Sequence, residues 1–339
     1  MFRFTARKLG KVRFYAGLTR FRAGMDVPLP DHIEVEPTTR CNATCGTCSR
    51  NVLNPEALKN DITLEDIRRI VDQFPNLRSI RLLGLGEPFL NPEIASILKF
   101  LKSRNLKVWL ITNGSMMNQK WVRDLLHDCV YDVGVSIDSA DEEEFARLRP
   151  MGRIGLSHIL DGVRELIMER AQGRSNIIVG VNATVTQHND GALPGIGSLC
   201  IDLGVDYLAI GFVENWLIRG DAGHEAARKQ IAEAMEYLPR IRWKIRWTRL
   251  RLAMRGIVVG YKIPRSRLGK CHWPYRSTHI TAEGLVTPCC TRTQPQHGTF
   301  NILEDGDFSG YWNGPAYKRL RRAHMDRDCS NAMCGSCPL

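Results

Sequence analysis

Nowhere in its 339 residues does this sequence run for about eighteen apolar positions, the length a helix needs to cross a bilayer. Its basic start lacks a continuous apolar stretch and a small-residue cleavage site, which argues against a secretory signal. Internal repeats and low-complexity linkers are absent as well. Acidic residues are missing from two segments. Residues 1–24 hold seven Lys/Arg and no acid, and residues 240–270 hold eleven and none. Without those eighteen, 29 basic residues face 36 acidic ones, so a formal +11 becomes −7. The basicity is local and not a general property of the surface. Eleven cysteines in a chain without a signal point to metal binding in a reducing compartment, with the cytoplasm as expected location.

Between residues 31 and 212, short β-rich runs alternate with longer amphipathic stretches. The expected strands are "HIEVEP" (32–37), "SIRLLGL" (79–85), "KVWLIT" (107–112), "DVGVSID" (132–138), "IIVGVNATV" (177–185) and "YLAIGFV" (207–213). Helical patterns fall between them, such as "TLEDIRRIVDQF" (63–74), with Thr63 as N-cap and Asp66 three positions on. Strands that alternate with helices imply an α/β fold with a parallel sheet and right-handed crossovers. Six units are too few for a closed eight-stranded barrel, so an incomplete, laterally open one is expected. A helix, "AARKQIAEAMEYL", and a basic stretch follow. In the last part, "HITAEGLVTPCC" reads as a hairpin around Glu283-Gly284.

The segment after the first strand, "TTRCNATCGTCSR", places Cys41, Cys45 and Cys48 within eight positions. Protein [4Fe–4S] cubes are usually held by four thiolates. Three would leave one iron with an open position, as a catalytic zinc keeps one site free. The loop leaves the C-terminal end of a strand, where such folds bind ligands. A zinc knuckle with a distant fourth ligand, or buried cysteines, fits the spacing too.

With its surroundings, this loop resembles the radical S-adenosylmethionine (radical SAM) superfamily, whose hallmark is C-x3-C-x2-C after the first strand of a partial (β/α)6 TIM-like barrel. The resemblance implies that Cys41, Cys45 and Cys48 bind a [4Fe–4S] cluster and that SAM chelates its free iron. It also implies reductive cleavage of SAM to a 5′-deoxyadenosyl radical. "GLGEPFLNP" (84–92) resembles the family's Gly-Glu-Pro segment and implies Gly86 and Glu87 near the SAM amino group. "ITNGS" with Asn113 and "VSIDS" with Ser136 and Asp138 resemble the ends of the third and fourth strands. Ser136 and Asp138 are implied toward ribose or carboxylate, Arg149 against the SAM carboxylate, and Asn182 as a further contact. One departure is Thr47, where the family commonly has an aromatic residue that packs on adenine.

Cys271, Cys289, Cys334 and Cys337 resemble the auxiliary-cluster module called twitch, the short form of the SPASM extension. Gly284 precedes Cys289 by five, and "CGSC" lies near the end of the sequence. One auxiliary [4Fe–4S] cluster is implied, since Cys290 and Cys329 are too few for another; structural zinc on the same four cysteines is the alternative. Either spare cysteine could ligate, donate hydrogen or simply pack, and Cys129 and Cys200 fit a core. The expected division is a basic amphipathic segment at 1–30, a core at 31–235, a basic connector at 236–270 and the extension at 271–339. In the connector, "RIRWKIRW" alternates as a half-buried strand would, with Arg240, Arg242, Lys244 and Arg246 on one face. That face suits phosphate or carboxylate, and a charged edge strand explains it equally. The N-terminal segment suits an anionic membrane surface or, more commonly, a helix packed across the barrel base.

These expectations converge on an enzyme that abstracts hydrogen from a small, anionic substrate such as a sugar or nucleotide-linked compound. Dehydrogenation, epimerisation and C–C bond formation are all open to it. An electron donor such as flavodoxin or ferredoxin is implied. The alternatives are a ribosomal-peptide maturase, disfavoured by the forty residues before Cys41, and a zinc or iron–sulfur nucleic-acid-binding protein. No basic–aromatic stacking module supports the last.

Overall fold

A computed structural model describes residues 14–48, 50, 58–186, 189–212, 243–261, 271–289 and 300–326. The six expected strands form as β1 (His32–Val35), β2 (Ser79–Leu82), β3 (Lys107–Thr112), β4 (Asp132–Ser136), β5 (Ile178–Val185) and β6 (Tyr207–Phe212). They pair in parallel and in sequence order. Helices α2 (Leu64–Asp72), α3 (Ile94–Ser103), α4 (Lys120–Cys129), α5 (Glu142–Leu148), α6 (Leu156–Ala171) and α7 (Leu193–Leu203) fill the crossovers. Thr63 caps α2 in a reciprocal capping box with Asp66, and Ile67, Ile70 and Val71 form its buried stripe.

Alternation divides the sheet into two faces. Ile33, Val35, Ile80, Leu82, Val108, Leu110, Val133, Val135, Val179 and Val181 are all buried and make the apolar core with the helices. The intervening residues line the opposite face and are largely polar: Glu34, Arg81, Trp109, Asp132 and Asn182. Arg81 pairs with Glu34 at 2.9 Å and lies over the Trp109 ring, while the Tyr207 hydroxyl donates to Asp132 at 2.8 Å.

The sheet is wider than the six-strand reading. Strand β7 (Val258–Tyr261) adds in parallel to β6. On the other edge, β8 (His279–Ile280) pairs in parallel with β1, and β9 (Val286–Thr287) returns antiparallel to β8. The order is therefore β7-β6-β5-β4-β3-β2-β1-β8-β9. The expected hairpin forms, with Gly284 at φ +85°, a backbone region that glycine occupies without penalty. Its two short strands continue the core sheet directly.

The basic connector requires a correction. Residues 243–253 are not a strand but a helix, α8, and Ile245, Thr248 and Leu252 are its buried positions. Lys244 and Arg246 stand two residues apart, about 200° around a helix axis, so they share no face. Arg240, Arg242 and the "AARKQIAEAMEYL" segment lie outside the described residues. At the N-terminus, residues 14–22 form α1. Phe14 and Phe21 of α1 meet the Tyr275 ring edge-on, at 5.6 and 6.2 Å between centroids. Tyr275 precedes β8, so this part of the segment packs at the base of the sheet as expected.

Candidate active site

The cysteine loop leaves β1 at the C-terminal end of the sheet. The Thr38 hydroxyl donates to Asp61, and the backbone N–H groups of Thr39 and Thr44 donate to the carbonyls of Asn60 and Pro150. Cys41, Cys45 and Cys48 are all half-buried, and the Cys48 N–H donates to the Cys45 carbonyl at 3.0 Å. Burial pushes the Cys41 and Cys45 thiols up, and the neighbouring cysteine sulfurs push the same way. Donors surround two of the sulfurs. The Ala43 N–H lies 3.4 Å and Asn113 Nδ2 3.8 Å from Cys41 Sγ, and Arg149 Nη1 lies 3.9 Å from Cys45 Sγ.

Those donors are themselves held. Arg149 Nε donates to Asp138 at 2.6 Å, and the other Asp138 oxygen accepts from the Thr184 N–H at 2.6 Å. Burial opposes the Arg149 charge, but Asp138 and the Cys45 sulfur outweigh it and its pKa is raised. The Asp138 carbonyl accepts from Asn189. Asn113 Nδ2 also donates to Asn42, which in turn donates to the Ser115 hydroxyl.

Glu87 and Gly86 brace this arrangement. Glu87 is buried; one carboxylate oxygen accepts from the Thr112 hydroxyl at 2.7 Å and the other from the Asn113 N–H at 2.6 Å. Its own N–H donates to the Arg40 carbonyl at 2.8 Å. A Cβ on Gly86 would overlap the carbonyl oxygens of Thr38 and Arg40, so glycine here lets the second loop lie against the cysteine loop. By contrast, Ser136 and Asn182 sit opposite each other in the β4–β5 register on the polar face. Asn182 Nδ2 is buried with no hydrogen-bond partner among the described residues.

Sequence reading missed Asn42, Ser115, Asn189 and Glu36. The first three are loop residues whose partners are distant in sequence, so no local pattern marks them. Glu36, at the end of β1, accepts from the Leu85 N–H at 2.6 Å and the Ala282 N–H at 3.3 Å. It ties the cysteine strand to the second loop and to the hairpin. Burial pushes its pKa up to about 7 despite those two donors. Of the extension's cysteines, Cys289 is buried and Cys271 half-buried. Cys290, Cys329, Cys334 and Cys337 lie outside the described residues.

Among the described residues, no three Cys, His, Asp or Glu groups converge as a single-ion site requires. A cube offers a different iron to each thiolate and so asks for sulfurs around a volume, not around a point. Three thiols on one loop, met by N–H donors, fit that group.

The laterally open parallel sheet and the three-thiol loop at its C-terminal mouth define a cluster-binding partial barrel. Residues 35–184 match the model of the Radical SAM superfamily, and residues 271–338 that of SPASM, an iron–sulfur cluster-binding domain. The chain belongs to the radical SAM superfamily and carries a SPASM-type extension, domains that imply [4Fe–4S] clusters and SAM. It is 27% identical over 188 residues to the tungsten-containing aldehyde ferredoxin oxidoreductase cofactor-modifying protein of Pyrococcus furiosus, covering 53% of this chain and 50% of that one. With the antilisterial bacteriocin subtilosin biosynthesis protein AlbA of Bacillus subtilis it shares 25% identity over 318 residues, covering 93% of this chain and 66% of AlbA. This chain thus spans half to two thirds of those relatives' lengths. The structure of Streptococcus suis SuiB bound to precursor peptide SuiA has the same fold, with TM-score 0.65, 17% identity and coverage of 94% of this chain and 70% of that one.

Two consequences can be measured. Asp138→Asn leaves Arg149 a buried cation without its carboxylate, so unfolding stability should fall by about 3–5 kcal/mol. Urea unfolding of the single variants and of Asp138→Ala/Arg149→Ala checks this; additive losses would show that the pair is uncoupled. The second concerns Glu36. Its folded pKa of about 7 exceeds the ordinary 4.5, so its stabilising contribution is complete below about 4.5 and is lost as pH rises through about 7. Between about pH 5 and about pH 8, wild type should lose up to about 3 kcal/mol relative to Glu36→Gln. Parallel stability profiles for the two proteins would refute this.

Proposed function

We propose that this protein is a radical SAM enzyme that modifies a ribosomally made peptide. The observation that carries the substrate class is the likeness to AlbA, a bacteriocin biosynthesis protein, along nearly the whole chain. A fold shared with SuiB, which was solved with its precursor peptide bound, supports the same reading. The anionic character expected of a small substrate rested on a cationic strand face, and α8 takes Lys244 and Arg246 out of any such face.

Cys41, Cys45 and Cys48 would hold one [4Fe–4S] cluster, and Cys271, Cys289, Cys334 and Cys337 an auxiliary one. When bound, the first cluster and SAM supply the one-electron chemistry that starts hydrogen abstraction from an unactivated C–H bond, with an electron carrier such as flavodoxin or ferredoxin as source. Arg149, kept cationic by Asp138 beside the cysteines, offers charge-assisted hydrogen bonds to a carboxylate. Asn113 keeps its orientation because Glu87 and Asn42 hold it from two sides. Ser136 and Asn182 present polar groups on the face below, where a ligand would lie. Glu87 and Gly86 fix the loop, and their protein contacts account for them without SAM.

The test is anaerobic reconstitution, then dithionite and SAM with peptides encoded beside the gene and, separately, with nucleotide sugars. Roughly eight irons per chain, 5′-deoxyadenosine release and a mass change in a peptide are expected. Cys45→Ala should release none. Turnover of a nucleotide sugar with every peptide unchanged would restore the small-molecule reading.

A further inference from the structure

Helix α8 presents two apolar faces, and protein covers one of them. Ile245, Thr248 and Leu252 are buried. Thr248 lies against Gly197 of α7, and Arg251 donates to Ser198 of the same helix at 3.3 Å. On the opposite side Trp243, Trp247, Leu250 and Met254 are exposed by 61, 53, 54 and 73%. At about 100° per residue Trp243, Trp247 and Leu250 fall within about 60° of arc, diametrically across from the buried three, and Met254 follows in the turn after α8, its N–H donating to the Leu250 carbonyl. The two indoles meet edge-on at 5.8 Å, so they form one patch. A solvated helix carries polar residues there; a continuous stripe of two tryptophans, a leucine and a methionine marks a contact.

The flanks indicate what kind. Arg246 and Arg249 border the stripe on one side, and Lys244 and Arg251 on the other. No acid occurs anywhere in residues 240–270, so the complementary partner is anionic. The stripe is the convex side of a single helix, with cations on both flanks, and that shape matches a plane. Tryptophan places its ring at a membrane interface with its N–H toward water, and Arg and Lys reach past apolar neighbours to headgroup phosphates. No helix among the described residues is long and apolar enough to cross a membrane, so such contact is peripheral.

We propose that α8 docks this protein onto an anionic lipid surface through Trp243, Trp247, Leu250 and Met254, with Arg246 and Arg249 against the headgroups. Vesicle co-sedimentation of the reconstituted holoenzyme tests it, using phosphatidylglycerol-containing against pure phosphatidylcholine vesicles. Binding should favour the anionic vesicles and fall as salt rises. Trp243→Ser/Trp247→Ser and Arg246→Glu/Arg249→Glu should each weaken it by roughly ten-fold. All four side chains are exposed, so circular dichroism and melting temperature should match wild type. The blue shift of tryptophan emission on adding vesicles should vanish in Trp243→Ser/Trp247→Ser. Failure of wild type to bind anionic vesicles would overturn the proposal, as would full binding by both folded variants. Variants that keep vesicle binding but lose self-association or peptide binding would assign the face to a protein partner and overturn it equally.

Discussion

Strand β1 carries the cysteine loop out of the sheet and is hydrogen-bonded along both edges, to β2 and to β8. A strand paired on both sides cannot slip by one residue without turning Ile33 and Val35 away from the core and Glu34 into it. The start of the loop is therefore fixed by register before any loop contact forms. Glu36 extends that constraint past the last paired residue. It captures one N–H from the loop after β2 and one from the hairpin, so three segments meet at a single buried carboxyl. Asn60 adds a second tie, because it bonds both Thr39 and Glu283. The geometry of the three cysteines is thus inherited from backbone pairing and two polar side chains.

Charge at the site follows from what that geometry buries. Half-buried thiols ionise reluctantly, and sulfurs close together make one another more reluctant still. Arg149 counters this at Cys45, and Asn113 and the Ala43 amide do so more weakly at Cys41. Arg149 can stay charged under so much protein because Asp138 accepts from it directly, while the Thr184 and Asn189 contacts keep Asp138 in place. The buried ion pair contributes orientation more than stability. A pair of apolar side chains would pack there at less cost, but would offer the sulfurs nothing.

The sequence made the core legible because each strand announces itself locally. Alternating or continuous β-branched runs at 32–37, 79–85, 107–112, 132–138, 177–185 and 207–213 needed no tertiary context to read. Strand β7 carries the same kind of run, "VVGY", but lies next to the basic stretch that drew the reading elsewhere. The β8–β9 hairpin was legible from Glu283-Gly284, but the pairing of β8 with β1 was not, since two residues are too short for any period. The failure at 243–253 is instructive. Ile and Trp alternate with cations over eight residues, which is a strand period, yet the segment takes a helical one, with Ile245, Thr248 and Leu252 inward. Tryptophan was assumed to be the buried partner, and the structure leaves it outside. The motif residues were legible as positions along the chain. The bracing roles of Gly86 and Glu87 were not, since they depend on the packing of two loops 45 residues apart.

The extension is held at both ends of the edge it occupies. At the mouth it is tied by Glu36 and Asn60; at the base, Arg321 does the equivalent. Its guanidinium is fully buried, lies 4.5 Å from the Trp312 ring and 5.3 Å from that of Tyr317, and donates through Nε to the Pro274 carbonyl. Helix α1 closes the same cluster through Phe21, so chain segments from both ends of the sequence share one aromatic core there. The direction of the hairpin then separates Cys271 and Cys289 from the three cysteines of the first loop. Strand β8 runs with β1 and β9 runs back, which returns the chain toward the base before Cys289. Cys271 precedes the turn that carries Tyr275, also at the base, and Cys41, Cys45 and Cys48 follow β1 at the mouth. The four residues of β1 alone span about 13 Å at the usual rise per residue. Cys271 and Cys289 therefore stand at the opposite end of the sheet from Cys41, Cys45 and Cys48, too far away to ligate the same cluster.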